Sequence, residues 1–512
     1  MRIDRSRLIS AGVAALAVFF PLIACAQAVE RSFDGDHGPG SSVCETGVMH
    51  CGLPEMDAAA NGKQVVEVTW QNVRVYDYHG RLLASTPMTG WIRSAGLDPI
   101  PPPGPRKPAG PVIRGPIEPH VVFDEFIQRW IVTVTGFSDS ILVSASPDPR
   151  GKWRGVNLAC LNGGPCLNFD PALHIGYDRN GVYYCGGHAG DANPHTIPGY
   201  AYDCLAVPAA EIAGIGAGTP PAHIFRAHNM PLDVIPAIDH NRGKAPDAPA
   251  FFLAKTCDRS TPGGCQNAMN YAFQWVVDTF TWNGTAGTFG AEQTVATDAG
   301  SKSNRWLYSK PCCGPQGVMP QAGNKDIPLR GMESHRLSNL VQSGSHLYGA
   351  MPSGPCTGSS CGAQGADTNN VLFWVDLDCS QPAACLVSQT GKIAGDFNPA
   401  FPTVGVDAAG NVGIVAESST ASTDLSLLLW THRAGDAPGT MRGPITIVAG
   451  TQPYTCETTR PYAAIGNAAG VLTALDPIDG TKLWTAGQWA SDAAPCVWNT
   501  KIVEYQIAPK SR

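Results

Sequence analysis

The stretch FPTVGVDAAGNVGIVAES, Phe401–Ser418, is the clearest of several similar stretches that decide the fold. A proline stands near its start, and an apolar run follows that ends in Asp407. After Gly410 and Asn411 comes a second apolar run. Two β-rich runs around a Gly or Asn turn predict a β-hairpin.

The same pattern recurs along the chain, with starts spaced by roughly 50 to 70 residues and one longer gap. Seven copies can be read: Gly62–Leu83, Glu118–Val134, Asp170–Gly186, Ile235–Ala254, Ser334–Ala350, Phe401–Ser418 and Arg460–Leu475. Repeats of this kind, each completed to four strands, are typical of propeller blades. The sequence therefore predicts an all-β, seven-bladed β-propeller, with two β-sandwich domains as the alternative.

Composition agrees with a turn-rich β protein. The chain has 57 glycines and 43 prolines, whereas only 15% of its residues are charged. The Pro-rich stretch 99–119 lacks backbone donors and is interpreted as a connector between blades. A net charge of −7 without a basic run argues against nucleic-acid binding.

The N-terminus predicts export. Basic residues precede an apolar run from Leu8 to Ala24, and a small-x-small cleavage site follows at Ala26–Ala28. We therefore expect a signal peptide over 1–28, a flexible leader over 29–61 and a single propeller domain over 62–512. Leu22–Cys25 also looks like a lipobox, so cleavage before a lipidated Cys25 is the alternative. No second apolar stretch is long enough to cross a bilayer, and the predicted location is periplasmic, extracellular or lipid-anchored at the outer membrane.

Cysteine spacing predicts disulfide bridges between neighbouring cysteines. The chain has 17 cysteines, and 16 remain once Cys25 of the signal peptide is set aside. An even number in an exported protein is typical of disulfides. Pairing of neighbours gives eight bridges: Cys44–Cys51, Cys160–Cys166, Cys185–Cys204, Cys257–Cys265, Cys312–Cys313, Cys356–Cys361, Cys379–Cys385 and Cys456–Cys496. The pairing of Cys312 with Cys313 would be a vicinal disulfide.

Several stretches carry a family resemblance. Their order is EPHVVFDEFIQRW, SPDPRGKW (Ser146–Trp153), MPQAGNKD (Met319–Asp326), HRLSNLVQSGSHLYGA and LDPIDGTKLWTAGQWA (Leu475–Ala490). In this order the chain resembles uncharacterised exported bacterial proteins described as sialidase-like or BNR-like propellers. The resemblance implies the fold over roughly residues 62 to 507 and implies no agreed activity. SPDPRGKW is similar to the Asp-box turn of sialidases, with one extra residue.

A second resemblance concerns ALDPIDGTKLW, Ala474–Trp484, which is similar to the tryptophan-docking motif of quinoprotein dehydrogenases. The motif stands once, where those propellers repeat it in most blades. Quinoprotein chemistry is therefore not favoured. No cofactor and no metal site are predicted, although structural calcium remains possible.

Candidate site residues come from the repeat starts. In a propeller the first strand of each blade lines the central channel, so the loops that lead into these strands converge at one mouth. Pockets with a few convergent polar groups are the usual ligand sites. The polar residues of the repeat starts are Glu118, His120, Asp170, His174, Asp239, His335, Arg336 and Arg460. Each could instead hydrogen-bond the loops between blades.

His335 and Arg336 are the expected centre of the site. Arginine offers a planar, permanently charged fork for a carboxylate or sulfate, and histidine changes charge near neutral pH. The leading hypothesis is a secreted, monomeric propeller that binds an extracellular ligand, a glycan, at the channel mouth. The alternatives are a glycoside hydrolase or polysaccharide lyase acting on an acidic polysaccharide, and a structural or adhesive surface protein.

Overall fold

A computed structural model describes most of the chain from residue 29 to residue 508. The residues described are 29–38, 55–97, 117–135, 140–158, 161, 169–189, 200–231, 234–257, 272–295, 306–307, 318–323, 327–328, 337–353, 371–393, 395–454, 473–492 and 497–508. The predicted signal peptide lies outside them. No helix in these ranges is long and apolar enough to cross a membrane.

The first three blades are four-stranded antiparallel meanders. An N-terminal strand, β1 (Val29–Gly38), precedes them. Blade 1 contains β2 (Asp57–Ala60), β3 (Gln64–Val68), β4 (Asn72–Asp77) and β5 (Leu82–Pro87), followed by α1 (Met88–Ser94). Blade 2 contains β6 (Ile117–Asp124), β7 (Arg129–Thr135), β8 (Ser140–Ser144) and β9 (Trp153–Asn157). Blade 3 contains β10 (Phe169–Tyr177), β11 (Gly181–Ala189), β12 (Tyr200–Pro208), α2 (Ala209–Ala217) and β13 (Phe225–Met230).

The middle blades follow the same plan with small additions. Blade 4 contains an interrupted inner strand, β14 (Ile235–Pro236) and β15 (Ile238–Asp239), then β16 (Ala250–Cys257), β17 (Ala272–Asn283) and β18 (Ala286–Phe289). Two short strands, β19 (Gln293–Thr294) and β20 (Trp306–Leu307), also pair with β17. A two-stranded ribbon follows, formed by β21 (Val318–Met319) and β22 (Ile327–Pro328).

The last blades close the ring. Blade 5 contains β23 (Leu340–Ser343), β24 (His346–Ser353), β25 (Val371–Asp378) and β26 (Leu386–Ile393). Blade 6 contains β27 (Ala400–Val406), β28 (Val412–Thr420), β29 (Thr423–His432) and β30 (Arg442–Val448). Blade 7 contains β31 (Ala474–Leu475), β32 (Lys482–Trp489), β33 (Trp498–Gln506) and, as its outermost strand, β1.

Apolar side chains between consecutive blades form the core. Each pair of neighbouring blades shares one hydrophobic cluster, and one of these clusters joins Val65 of blade 1 to Trp484 and Ile502 of blade 7. Within the described residues, consecutive blades therefore pack face to face around a ring. This arrangement is a β-propeller, as the sequence predicted.

The N-terminal strand differs from the sequence prediction. Residues 29–61 were expected to be a flexible leader, yet Val29–Gly38 pairs with β33 and Asp57–Ala60 is the inner strand of blade 1. The C-terminal strand accordingly lies inside blade 7 and does not pair with blade 1. The outermost strand of a blade exposes many of its side chains, so β1 (VERSFDGDHG) carries little apolar signal.

Two of the predicted disulfides lie in the described part of the chain, and both are present. Cys185–Cys204 links directly opposed residues of β11 and β12 in blade 3. Cys379–Cys385 closes the connection between β25 and β26 in blade 5. The other twelve cysteines were predicted to pair among themselves, and those pairings lie outside the description: Cys44, Cys51, Cys160, Cys166, Cys257, Cys265, Cys312, Cys313, Cys356, Cys361, Cys456 and Cys496.

Candidate functional site

The inner strands of the blades run in the same direction around the channel. Tyr177 of β10 lies beside Ile238 of β15, and Ile238 lies beside Val341 of β23, both in parallel register. All these strands therefore begin at one end of the ring and finish at the other. We call the first the entrance end and the second the exit end.

A buried aspartate and two buried histidines meet in the channel. Asp57 begins β2, while His120 is the fourth of the eight residues of β6 and His174 the sixth of the nine residues of β10. The side chains of Asp57 and His120 are 0% and 1% exposed, and the His174 residue is 2% exposed. The two imidazole rings lie 6.5 Å apart at 30°. Three blades thus contribute one residue each to what we call the Asp-His-His cluster.

Asp57 holds His120 in place. Oδ2 of Asp57 lies 3.2 Å from Nδ1 of His120 and accepts a hydrogen bond from the backbone N–H of Val121 at 3.1 Å. The backbone N–H of Ala58 donates to Oδ1 of Asp57 at 2.8 Å. Because the carboxylate can only accept, this contact assigns the proton of a neutral His120 to Nδ1.

Nε2 of His120 has no hydrogen-bond partner among the described residues. With the proton on Nδ1, Nε2 carries a lone pair that can accept a hydrogen bond or a proton. A buried polar atom that stays unpaired costs about 1–3 kcal/mol. Nε2 is itself shielded from solvent, so a ligand hydroxyl would satisfy this atom only where the surrounding side chains move to admit it.

Polar residues of blades 5, 6 and 7 bond to one another across the blade boundaries. Oδ1 and Nδ2 of Asn339 bond the backbone N–H and carbonyl of Val404, at 2.9 and 2.7 Å. The hydroxyls of Thr403 and Thr473 lie 2.8 Å apart. These side chains therefore stabilise the packing of one blade on the next.

Asp239 lies at the exit end. It follows Ile238, whose partner Tyr177 is three residues beyond His174, so the cluster and Asp239 are separated by roughly 13 Å of strand. Oδ1 of Asp239 accepts the backbone N–H of Asn241 at 2.9 Å. Four other inner strands end in an aspartate that bonds the N–H two residues later: Asp124, Asp178, Asp407 and Asp476. Asp239 therefore caps the turn after its inner strand, as the other four aspartates do, and it lies apart from the two histidines.

Charged side chains at the exit end form ion pairs with one another. Nζ of Lys244 lies 2.8 Å from Asp178 and 3.1 Å from Asp239, and the three side chains are 1 to 3% exposed. His240 lies 2.8 Å from Glu125. Burial opposes the charged imidazolium, but the Glu125 carboxylate outweighs it, and the pKa of His240 is raised. Both cations, Lys244 and His240, are thus engaged by carboxylates of the exit end.

The other predicted residues are described only in part. Glu118 lies in β6 and Asp170 in β10, and the structure describes their backbone alone. His335, Arg336 and Arg460 lie outside the described residues. The described part of the inner strand of blade 7 is Ala474–Leu475.

Sequence reasoning missed Asp57, because the segment before residue 62 was assigned to a leader. A signal was present in DAAANGKQVVEV, where a short apolar run precedes an Asn-Gly turn and a β-branched run. No group of three or more His, Cys, Asp or Glu in the described ranges could hold a metal ion.

No family model and no curated protein matches the sequence. Among solved structures, the chain is similar to Drosophila semaphorin 1b extracellular domains 1–2, with a TM-score of 0.41 and 8% identity over 94% of this chain and 87% of that one. It is also similar to a polysaccharide lyase, a PL25 ulvan lyase (TM-score 0.38, 12% identity, 73% and 77% covered). A third is the Trypanosoma rangeli sialidase with the inhibitor DANA (TM-score 0.31, 9% identity, 70% and 56% covered).

Membership of an exported bacterial group stays a prediction. Chains of 8 to 12% identity need not share a function.

Proposed function

We propose that this protein is an exported β-propeller that binds an extracellular glycan in its channel. The observation that carries the proposal is the buried His120, which Asp57 orients and whose Nε2 has no partner in the described residues. Hydroxyl-rich ligands suit such a site, because each hydroxyl both donates and accepts a hydrogen bond. The disulfides Cys185–Cys204 and Cys379–Cys385 suit an oxidising compartment.

His335 and Arg336 remain part of the proposed site. They immediately precede Leu337–Asn339, and Asn339 leads into the inner strand β23 at the entrance end. Arg336 would give the site a preference for glycans that carry a carboxylate or sulfate. Substitution of Arg336 by Lys should then weaken binding of an acidic glycan more than tenfold while Tm stays within a few degrees.

A second candidate function is catalysis. An imidazole that a buried carboxylate orients, with its other nitrogen unprotonated, is the usual arrangement of a general base. His120 could then abstract the α-proton of a uronate or activate water, as in a polysaccharide lyase or glycoside hydrolase. His174, whose ring lies 6.5 Å from that of His120, is a candidate for the complementary acid.

One experiment tests both candidates. The purified mature protein is screened against neutral and acidic polysaccharides for binding and for released products. We expect saturable binding that His120→Gln weakens at least tenfold, while His223→Gln, a change of an exposed histidine, has no effect. Release of products that His120→Gln abolishes would select the enzyme. Equal binding by the wild type and His120→Gln, with both proteins folded, would contradict the proposal that the ligand binds at His120.

A further inference from the structure

Blade 6 contains a second concave surface, which is not part of the Asp-His-His cluster. A cleft of about 800 Å³ opens between the segment 396–398, the turn from β28 to β29 and the end of β30. The segment 396–398 precedes the inner strand β27, and β28 runs antiparallel to β27. The cleft therefore lies at the entrance end. Its volume is within the range of about 300–1,000 Å³ that small-molecule sites occupy.

The charges of the cleft exclude one class of ligand. Two carboxylates, Asp396 and Asp424, line it, and no Lys, Arg or His is among its described lining residues. An anionic ligand would meet like charges there without a compensating cation. The lining also carries six hydroxyls, from Ser418, Thr420, Ser422, Thr423, Ser426 and Thr446. Carboxylates and hydroxyls together suit the hydroxyl groups of an uncharged ligand.

Phe397 supplies a flat apolar surface at the cleft. The side chain is partly exposed, and its ring meets Trp430 edge-on at 6.1 Å and 75°. Its backbone carbonyl accepts a hydrogen bond from the hydroxyl of Ser418, and the neighbouring Asn398 donates to the carbonyl of Ser419 at 3.1 Å. The ring is thus held at the cleft before any ligand arrives. The apolar C–H face of a sugar ring can pack on such a ring.

Asp424 offers an unused acceptor. Its Oδ1 is shielded from water and has no hydrogen-bond partner among the described residues. The backbone around it is fixed, because Ser426 Oγ donates to the Asp424 carbonyl at 2.7 Å and accepts the N–H of Gly450 at 2.9 Å. The Asp424 residue lines the cleft, so a ligand that donates a hydrogen bond to its carboxylate is favoured there.

We propose that the blade 6 cleft binds a neutral saccharide, stacked on Phe397 and hydrogen-bonded through Asp424 and the surrounding hydroxyls. The proposal rests on the proposed glycan function and adds a subsite with its own chemistry. An acidic glycan would occupy the channel, whereas neutral sugar residues would occupy the cleft. A mixed polysaccharide could contact both.

The test uses the full mature protein and short oligosaccharides. The probes are neutral hexasaccharides of glucose, mannose, galactose and xylose, together with the hexamer of galacturonic acid, and binding is measured by calorimetry. We expect at least one neutral hexasaccharide to bind, and we expect Phe397→Ala and Asp424→Asn each to weaken it about tenfold or more. The control, Asp247→Asn, changes an exposed aspartate that precedes β16 and should have no effect. Asp424→Asn keeps the shape of the side chain, so it remains informative if Phe397→Ala unfolds.

The outcomes separate the two proposals. Loss of neutral binding in the cleft variants, with His120→Gln unaffected, supports the cleft whatever the channel does. Loss in His120→Gln alone would leave the channel site standing and overturn the cleft. The cleft proposal is also overturned if no neutral hexasaccharide binds the wild type, or if the galacturonic acid hexamer binds the cleft as tightly as the neutral sugars.

Discussion

Asp57 controls the chemistry of the Asp-His-His cluster although it was not among the predicted site residues. It accepts bonds from the backbone of β2 and β6 and sets the tautomer of His120. His120 and His174 were grouped from their positions within the repeats, and their rings lie 6.5 Å apart. Asp57 could not be placed, since the sequence pattern did not assign the segment before residue 62 to a blade.

The tautomer of His120 gives a first prediction. In Asp57→Asn the amide can present its NH₂ group to Nδ1, which then becomes an acceptor and moves the proton to Nε2. We expect glycan affinity, or turnover if the protein is an enzyme, to fall about tenfold or more, with a loss of roughly 1 kcal/mol in stability. Calorimetric binding and urea unfolding measure the two effects. An unchanged affinity in a folded variant would contradict the role given to Nε2.

Glu417 gives a second prediction, on pH. It is fully buried between blades 6 and 7, and the N–H of Gln488 donates to its Oε1 at 3.2 Å. Burial raises its pKa from 4.5 to about 8, which the Gln488 bond opposes. The folded state therefore holds a proton that the unfolded chain releases above pH 4.5, and stability falls as pH rises from 4.5 to 8.

Substitution of Glu417 by Gln removes this titration. We expect the variant to be more stable than the wild type at pH 9, by on the order of 3 kcal/mol, and to differ little at pH 5. Urea unfolding at both pH values measures the difference, and Glu30→Gln, at an exposed position, is the control. A difference that is equal at pH 5 and pH 9 would show that Glu417 does not titrate on unfolding.

At the scale of elements, the hairpins were predictable but their positions within blades were less so. Five repeat copies correspond to inner strands followed by second strands. The first copy, however, is the second and third strands of blade 1. Of the seventh copy, the structure describes only the end, where Ala474–Leu475 is a strand. Periodicity finds a buried strand pair and does not say which of three hairpins in a meander it is.

The closing strand β1 is held by polar contacts. Asp36 is buried, and its carboxylate lies 2.6 Å from Arg74 and accepts bonds from Thr69 and Asn72, each at 2.9 Å. The backbone N–H of Asp36 donates to Glu67 at 3.2 Å. The polar strand β1 thus joins blade 7 to blade 1 through specific partners.

The third prediction compares two aspartates of β1. We expect Asp36→Ala to reduce the free energy of unfolding by about 2 kcal/mol or more, because Arg74, Thr69 and Asn72 lose their shared partner. Asp34 is 74% exposed and pairs with Lys501, so Asp34→Ala should cost less than about 0.5 kcal/mol. Urea unfolding measures both changes. Equal effects would mean that the Asp36 contacts do not hold the ring closed.

At the scale of the whole molecule, the ring separates two kinds of polar residue that the sequence could not separate. His120 and His174 lie three or four residues before the ends of their inner strands, and the aspartates at those ends cap turns at the exit end. Asp239 was grouped with the histidines because the repeat pattern shows that it lies in an inner strand without showing at which end. The fold class followed from the repeats, whereas the site required the direction of every strand.

The last prediction concerns the disulfides as staples of this ring. Cys185–Cys204 spans 19 positions and Cys379–Cys385 spans six. In the chain-entropy account a longer closed loop restricts the unfolded chain more, which gives about 3 kcal/mol for the first bridge and about 2 kcal/mol for the second. Replacing both cysteines of a bridge by Ala should therefore lower stability more for the blade 3 pair, when the variants are compared by urea unfolding under oxidising conditions. In a reducing buffer the wild type should lose more stability than either variant loses under oxidising conditions. The reason is that the other bridges predicted from the sequence open as well. A wild type whose stability is the same in both buffers, with its thiols shown to be free, would mean that inter-blade packing alone holds the ring.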